Sequence, residues 1–316
     1  FMSDINVGFV GLGNVGAKVA NNIISNGYKL YIHDLDEKKS KNLVSKGGIF
    51  CESIEELVPK VTILITCLPS PKSVKDVLLK CVPLFKESHL WIEMSTTDEH
   101  DMQYLSKLVF DKKAEVLEAP ITGGQHRAES GNISILVGGS RESFERSFPI
   151  LSCVGHQILH CGDIGKASTL KVVTNYLASI NLLALGEALM VCKKYGIDLK
   201  TAFEGIKISS GNSFVHETES QVILNGSYDV GFTMDLVCKD VGLFDKLTKK
   251  YEIPAELSSL MLEIFQRGRE KLGDRALSTS IVKLLEEKCN ENLRASGFPS
   301  YLEDKNQKQE AEEVII

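Results

Sequence analysis

Residues 6–34 read NVGFVGLGNVGAKVANNIISNGYKLYIHD, and this stretch decides the fold of the first half of the chain. A β-branched run at Ile5–Val10 leads into a cluster of glycines, and a helical pattern over Ala17–Ser25 follows until Gly27 stops it. Lys29–His33 then has the composition of a second strand. A strand, a glycine-rich turn, a helix and another strand in this order predict a βαβ unit in a parallel sheet.

The glycines have the spacing G-x-G-x-x-G directly after the first strand. Gly11 permits a tight turn, Gly13 lets the backbone approach a pyrophosphate, and Gly16 lets the helix pack closely on the strand. The amides at the start of the helix face the phosphates. Three further residues lie between these glycines and complete the predicted dinucleotide loop, namely Leu12, Asn14 and Val15.

Asp34 ends the second strand and predicts which dinucleotide is bound. A carboxylate there accepts hydrogen bonds from the ribose hydroxyls and repels a 2′-phosphate, so NAD is favoured over NADP. Lys38 and Lys39 follow closely, and they leave NADP as the alternative.

The rest of the chain divides into a strand-rich half and a helical half. The continuously apolar run at Val61–Leu68 and the runs at Leu90–Met94 and Ala114–Ala119 predict further buried strands. From Gly165 onward the pattern is helical, with one uninterrupted stretch that reaches Tyr195. We therefore predict an α/β fold, with an N-terminal Rossmann domain built on a doubly wound parallel sheet and an all-α C-terminal domain. The predicted domains are a dinucleotide-binding domain at 1–163, an all-helical domain for substrate binding and dimerisation at 164–296, and a polar, flexible tail at 297–316.

Composition excludes several classes of protein. The 316 residues are 43% hydrophobic and 25% charged, with a net charge of −6, so no nucleic-acid partner is expected. The eight cysteines include no CxxC pair, and no His/Asp/Glu cluster has metal-ligand spacing, so neither a disulfide framework nor a metal site is predicted.

No membrane partner is expected either. The uncharged stretch Val172–Gly186 is shorter than the roughly 20 residues that a membrane span needs, which favours a buried core helix. No basic segment followed by an apolar one marks a signal peptide at the N-terminus. We expect a cytoplasmic protein, with the mitochondrial matrix as the alternative if a transit peptide has been removed.

Three segments carry chemistry beyond the dinucleotide loop. In EAPITGG, Gly123 and Gly124 expose amides that suit a carboxylate, and Thr122 adds a hydroxyl, although a plain glycine-rich turn between strands fits equally well. In GKASTLKVVTN, Lys171 and Asn175 share one helix face. Desolvation lowers the pKa of a lysine and suits it to proton transfer, but periodicity alone favours a lysine that extends to solvent.

The third segment is VCKDVGLF, which contains Lys239 and Asp240. This pair could face a cleft, but the pattern by itself favours a solvated stripe on a helix.

Taken in order, these motifs resemble those of the β-hydroxyacid dehydrogenases, with 3-hydroxyisobutyrate dehydrogenase, tartronate semialdehyde reductase and, more distantly, 6-phosphogluconate dehydrogenase as relatives. The resemblance runs from about residue 6 to about residue 295. It implies that GLGNVG is the cofactor fingerprint and that two later loops also contact the cofactor, Leu68-Pro69 and Ser95-Thr96. It also implies that the lysine of the Lys-Asp pair, Lys239, approaches the nicotinamide end.

The same resemblance implies the reacting residues. Lys171 falls on the family's catalytic lysine, and PITGG falls on its substrate-carboxylate loop. The implied substrate-binding residues are Thr122, Gly123, Gly124, Asn175 and Asp240.

Four features depart from the family's pattern. Thr122 replaces a serine, Lys166-Ala167 alters a GxG, Glu93 replaces an aspartate, and the stretch 125–127 (Gln-His-Arg) is bulkier and more basic than usual. Arg127 either binds a second anionic group of the substrate or faces water.

The resemblance implies an NAD-dependent 3-hydroxyacid dehydrogenase that forms a homodimer or homotetramer. A semialdehyde or glyoxylate reductase and a sugar-acid dehydrogenase are the alternatives, and a non-catalytic cofactor-binding relative is a more distant one.

Overall fold

The structure is a computed structural model that describes residues 5–316. The chain forms two compact units. Unit 1 extends to Lys171 and includes Asp304–Ile316, and unit 2 is Val172–Glu303. The predicted boundaries at 163/164 and 296/297 stay predictions.

Unit 1 is built on one sheet with the strand order β10-β9-β8-β6-β5-β4-β1-β2-β3, and β7 pairs with β8. The strands are β1 Asn6–Val10, β2 Lys29–His33, β3 Ile49–Phe50, β4 Ile63–Thr66, β5 Leu90–Glu93, β6 Glu115–Glu118, β7 Ile121–Thr122, β8 Ile133–Gly139, β9 Gly155–Gly162 and β10 Glu312–Glu313. The strands from β6 to β3 are parallel, and β8 reverses the direction because it pairs antiparallel with β6. The mostly parallel Rossmann sheet is therefore confirmed.

Helices connect these strands and make up most of unit 2. They are α1 Gly16–Ser25, α2 Lys41–Ser45, α3 Ile54–Leu57, α4 Pro71–Cys81, α5 Glu99–Phe110, α6 Gly124–Ser130, α7 Arg141–Val154, α8 Lys166–Tyr195, α9 Leu199–Lys207, α10 Phe214–Asn225, α11 Met234–Lys250, α12 Glu256–Leu272 and α13 Lys283–Cys289. Helix α8 begins in unit 1 and continues in unit 2. The all-helical second half is confirmed for unit 2.

Both faces of the sheet are buried, which explains the continuously apolar strands. Side chains alternate between two hydrophobic clusters, so that Ile63 and Ile65 lie in one cluster and Leu64 in the other. Trp91 is fully buried on the second face. A strand covered on both sides cannot show polar alternation, because every position faces apolar groups.

Unit 2 has its own core and a buried polar network. The Tyr228 hydroxyl donates to Glu286, while Arg294 donates to Tyr228 Oη (2.6 Å) and to Glu286 Oε1 (2.9 Å). Helix α13 ends at Cys289 because Asn290 adopts a left-handed conformation, with φ 51°.

The C-terminal segment contacts the edge of the sheet in unit 1. Strand β10 pairs parallel with β9, and Asp304 accepts hydrogen bonds from Ser130 Oγ (2.6 Å) and Asn132 Nδ2 (2.9 Å). Arg141 forms a bidentate ion pair with Glu313. Residues Asp304–Ile316 therefore belong to unit 1, where their side chains contact polar groups along the edge of the sheet.

Within residues 5–316, α8 is the one helix that is long and apolar enough to cross a membrane by length and composition. Only 33% of its most apolar window is buried. The predicted single long helix is confirmed, but it is less buried than a core helix would be.

Candidate active site

The dinucleotide loop follows β1 with the geometry that its glycines predict. Gly11 has φ 101°, and a Cβ there would lie 2.3 Å from the carbonyl oxygen of Cys67. A Cβ on Gly16 would lie 2.1 Å from the carbonyl oxygen of Gly11, whereas one on Gly13 would meet no protein atom within 4 Å. The first and third glycines therefore serve packing, and the second leaves open space beside the backbone, as a pyrophosphate requires.

Asp34 is tied to this loop. Its Oδ2 accepts a hydrogen bond from the Leu12 amide at 2.7 Å, and its Oδ1 accepts from the Asp36 amide at 2.9 Å. Lys39 Nζ lies 3.3 Å from Oδ1. The carboxylate expected to contact the ribose is thus fixed beside the glycines, with one lysine next to it.

Two further loops meet at the carboxyl ends of β4 and β5. The Leu68 amide donates to Ser95 Oγ at 2.7 Å, and the Ser95 amide donates to Glu93 Oε1 at 2.5 Å. Thr66 donates to the other oxygen of Glu93 and accepts from Trp91 Nε1 at 2.8 Å. Burial raises the pKa of Glu93 to about 7, although the hydrogen bonds from Ser95 and Thr66 oppose that shift. The loops predicted as Leu68-Pro69 and Ser95-Thr96 are therefore joined through one buried glutamate.

The glycine-rich turn follows β7. Thr122 pairs with Ser134 across the β7–β8 ladder, and Gly123 and Gly124 both have positive φ, at 122° and 84°. Successive backbone amides in such a turn converge on one side and can bind an anion. This geometry fits a carboxylate-binding turn. It fits the alternative prediction, a plain glycine-rich turn between two strands, equally well.

Helix α6, which carries the departure at 125–127, is fastened to α1. Lys18 forms an ion pair with Glu129 at 2.8 Å, and Asn22 donates to the Ala128 carbonyl at 2.8 Å. Burial lowers the pKa of His126, and the positive charge of Arg127 adds to that effect. A neutral imidazole is thus favoured next to the glycine-rich turn.

Lys171 lies in the second turn of α8 and is 7% exposed. Its burial contradicts the interpretation of a lysine that extends to solvent. The start of α8 is fixed to the sheet by Glu118, the last residue of β6. Its side chain accepts hydrogen bonds from the Gly165 amide (2.5 Å) and the Ser168 amide (3.3 Å). Burial raises the pKa of Glu118, and these hydrogen bonds oppose the shift.

Unit 2 holds the remaining predicted residues. Asn175 Nδ2 donates to Asp240 Oδ2 at 2.6 Å, and Lys239 Nζ lies 2.9 Å from Asp240 Oδ1. The side chains of Lys239 and Asp240 are 20% and 2% exposed, so the pair is not a solvated stripe. Since both oxygens of Asp240 face chain residues, its carboxylate is placed to orient Asn175 and Lys239.

The structure thus joins the glycine loop to Asp34, and Leu68 to Ser95, within unit 1, and Asn175 to Lys239 through Asp240 within unit 2. The sequence analysis did not predict the structural roles of Glu93 and Glu118. Each is the last residue of its strand and follows directly on buried apolar residues, and a carboxylate buried there requires several donors. That requirement was the available signal. Among residues 5–316, no group of three or more His, Cys, Asp or Glu side chains could hold a metal ion.

Two protein families match the chain in succession. Residues 6–162 match the NAD binding domain of 6-phosphogluconate dehydrogenase. Residues 165–285 match a domain described as the NAD-binding domain of NADP-dependent 3-hydroxyisobutyrate dehydrogenase.

Individual proteins match over most of their length. The chain is 31% identical to 2-(hydroxymethyl)glutarate dehydrogenase from Eubacterium barkeri, over 90% of this chain and 95% of that protein. It is 30% identical to mouse mitochondrial 3-hydroxyisobutyrate dehydrogenase, over 89% and 87%. The crystal structure of 3-hydroxyisobutyrate dehydrogenase from Salmonella typhimurium superposes with a TM-score of 0.81 at 26% identity, over 89% of this chain and 100% of that one.

Proposed function

The chain belongs to the β-hydroxyacid dehydrogenase family and is an NAD(P)-dependent oxidoreductase that acts on CH–OH groups, and on that premise we propose that it oxidises a small 3-hydroxy carboxylate with NAD. The observation that carries the proposal is the buried Lys171, which belongs to the same unit as the glycine-rich turn Thr122–Gly124. An amine at this position can act as a general base toward the hydroxyl proton of an alcohol.

We assign each step to a residue of the chain. The nicotinamide, when bound, supplies the hydride acceptor. Thr122, Gly123 and Gly124 hold the substrate carboxylate through one hydroxyl and two amides. As the carbinol carbon loses hydride, Lys171 Nζ takes the hydroxyl proton, and the alcohol becomes a semialdehyde. In the reverse direction the ammonium returns that proton, and its charge stabilises the oxygen while negative charge develops.

The preference for NAD rests on Asp34. Its carboxylate is fixed by the Leu12 amide beside the glycine loop, and a 2′-phosphate next to it would meet a negative charge. Lys39, 3.3 Å from the same carboxylate, offers that phosphate only partial compensation.

The basic stretch 125–127 bears on the choice of substrate. The relative from Eubacterium barkeri is named for 2-(hydroxymethyl)glutarate, a 3-hydroxy acid with a second carboxylate. Arg127 Cδ lies 3.0 Å from the position of a Cβ on Gly123, so this arginine packs against the substrate turn. We therefore include dicarboxylic 3-hydroxy acids beside 3-hydroxyisobutyrate among the candidate substrates.

Lys171→Ala tests the proposal. With NAD and a panel of 3-hydroxy mono- and dicarboxylates, wild-type protein should form NADH, and the variant should lose about 10²- to 10⁴-fold in kcat because the proton acceptor is removed. NADH binding, followed by fluorescence, should not change. A variant that keeps kcat within a few-fold would refute Lys171 as the acid–base residue. NADH oxidation by wild-type protein with glyoxylate or a semialdehyde, and no activity on the acids, would favour the reductase alternative.

We further infer that the chain self-associates along α8. Leu177, Ala184 and Val191 are spaced by seven residues on this helix, and all three are exposed. A second copy of the helix would cover this apolar stripe. Light scattering of the full chain should give the mass of a dimer or tetramer, and Leu177→Glu should shift it toward the monomer.

A further inference from the structure

Two buried glutamates lie side by side at the carboxyl ends of neighbouring strands. Glu93 ends β5, Glu118 ends β6, and the two are register partners in the parallel ladder. Their exposed fractions are 1% and 0%. Neither side chain faces a lysine or arginine in an ion pair among the described residues, so hydrogen-bond donors of the chain must stabilise each carboxyl group.

The donors around Glu118 come from the start of α8. Its Oε1 accepts from the Gly165 amide at 2.5 Å and from Ser168 Oγ at 3.2 Å, and its Oε2 accepts from the Ser168 amide at 3.3 Å. The first amides of a helix have no partner within the helix, so a carboxylate at this end satisfies them and interacts favourably with the helix dipole. Glu118 therefore caps α8 from a strand about 50 residues earlier in the chain.

The backbone around this cap is shaped to admit the carboxylate. A Cβ on Gly138 would lie 2.7 Å from Glu118 Oε2, and Gly165 presents its amide from a positive φ of 99°. Ser168 is also within 3.3 Å of Thr97 Oγ1, in the loop after β5. The niche is thus formed by two glycines and one serine, and larger residues at these positions would displace the carboxylate.

The donors around Glu93 belong to different segments. They are the amide of Ser95 and the hydroxyl of Thr66, and Ser95 Oγ in turn accepts from the Leu68 amide. Glu93 contacts Ser95 and the last residue of β4, Thr66, and Ser95 in turn holds Leu68. Glu118 instead contacts the helix that carries Lys171. The two carboxyl groups are chemically alike and equally buried, so each is a matched control for the other.

We propose that Glu118 is a positioning residue that fixes the first turn of α8 and thereby the place of Lys171, while Glu93 fixes the two cofactor loops. The proposal rests on the function assigned above. Lys171 follows Ser168 by three residues on one continuous helix, so a shift of the first turn moves the amine directly. Displacement of a catalytic group by about 1 Å can cost about 100-fold in rate, which makes the cap relevant to turnover.

The test compares Glu118→Gln with Glu93→Gln. Glutamine keeps the size of the side chain but turns one acceptor into an NH₂ donor, so one of the amides at the start of α8 loses its partner. For Glu118→Gln we expect kcat to fall about 10- to 100-fold with the Kd for NADH within about twofold of wild type. For Glu93→Gln we expect the Kd for NADH to rise about tenfold or more. A tenfold rise corresponds to a loss of about 1.4 kcal/mol of binding free energy.

Two milder variants keep the test informative if Glu118→Gln does not fold. Ser168→Ala removes the hydroxyl contacts with Glu118 and Thr97 but keeps the amide bond to Glu118, and we expect a few-fold fall in kcat with NADH binding unchanged. Glu118→Asp keeps the charge and should recover part of the kcat that Glu118→Gln loses. Fluorescence of Trp91 in the absence of denaturant checks that each variant is folded.

Hydrogen exchange provides a readout that does not depend on turnover. In Glu118→Gln, amides 165–170 should exchange faster while the loops at 67–69 and 95–97 keep their protection, and Glu93→Gln should show the opposite pattern. Equal kcat in Glu118→Gln and wild type, or equal loss of NADH binding in both glutamine variants, would overturn the proposal. If wild-type protein oxidises none of the hydroxy acids, the proposed function fails, but the exchange and NADH-binding patterns still decide whether the two glutamates divide the positioning in this way.

Discussion

At the scale of single residues, we expect Asp34 to set the discrimination between NAD and NADP. Asp34→Asn keeps an oxygen that can accept from the Leu12 amide and removes the negative charge. Lys39 would then lose its partner and could pair with a 2′-phosphate. We expect the ratio of kcat/KM for NADP to kcat/KM for NAD to rise about tenfold, which corresponds to about 1.4 kcal/mol.

Steady-state kinetics with both cofactors measures this ratio. Lys39→Gln is the control, since it should leave the reaction with NAD nearly unchanged and weaken the reaction with NADP. An unchanged ratio in Asp34→Asn would show that the carboxylate does not face the ribose.

Glu93 makes the stability of the protein depend on pH. Burial raises the pKa of Glu93 from 4.5 to about 7, and the Glu118 carboxyl group adds to the shift. Between these two values the folded state binds more protons than the unfolded state, so the free energy of unfolding falls as the pH rises from about 4.5 to about 7. The full difference is roughly 3 kcal/mol, because one pKa unit corresponds to about 1.4 kcal/mol.

Urea unfolding at pH 5 and pH 8, followed by the fluorescence of Trp91, measures the effect. The glutamine in Glu93→Gln cannot titrate. From pH 5 to pH 8, the free energy of unfolding of this variant should therefore decrease by roughly 3 kcal/mol less than that of the wild-type protein. Parallel pH profiles for the two proteins would contradict the assignment.

At the scale of elements, the C-terminal segment is fastened to α6, the helix that begins at the glycine-rich turn after β7. Burial favours protonation of Asp304, but hydrogen bonds from Ser130, Asn132 and Asn306 outweigh it and lower the pKa of Asp304 to about 2. The resulting stabilisation is present above the ordinary value of 3.8 and is lost only as the pH falls through about 2.

Asp304→Ala should therefore release the segment at neutral pH. Amides 304–314 should exchange with solvent faster, and proteases should cleave there more readily, because Ser130 and Asn132 lose their acceptor. Glu310→Ala is the control, since Glu310 contacts His156 through its backbone carbonyl. Identical exchange in Asp304→Ala and wild type would mean that the β10–β9 pairing suffices to hold the segment.

At the scale of the whole molecule, cofactor binding should stabilise the unit that contains the glycine loop. Trp91 is the single tryptophan of the chain and lies in unit 1. NADH at about 100 times its Kd should add about 2.7 kcal/mol to the free energy of unfolding, provided that the unfolded chain does not bind it. Thermal unfolding followed by Trp91 fluorescence should therefore move to higher temperature.

Gly13→Ala separates binding from folding. A Cβ at this position meets no protein atom, so the variant should unfold at the wild-type temperature without NADH. The methyl group would occupy the space expected for the pyrophosphate, and NADH should then fail to raise the midpoint. Gly16→Ala should be destabilised even without NADH, because its Cβ would lie 2.1 Å from a carbonyl oxygen.

The sequence by itself determined the elements and the loop chemistry of this protein. The strand Lys29–His33 was predicted at the bounds that the structure has, and α8 was predicted to within one residue. These features follow from local patterns: apolar periodicity, glycines that break helices, and the spacing of G-x-G-x-x-G. The packing roles predicted for Gly11 and Gly16 agree with the structure, because a Cβ at either position would lie within 2.3 Å of a backbone carbonyl oxygen.

Only the tertiary structure decided what the polar side chains contact. The cap that Glu118 places on α8, the bond between Asp34 and Leu12, the pairing of Asp240 with Asn175 and the docking of the tail at Asp304 all join residues that lie more than 20 positions apart. Such contacts depend on strand order and register, which bring distant residues to within hydrogen-bonding distance. No local pattern in the sequence specifies which distant residues meet. A carboxylate in an apolar strand therefore indicates that hydrogen-bond donors are needed, but it does not indicate which residues supply them.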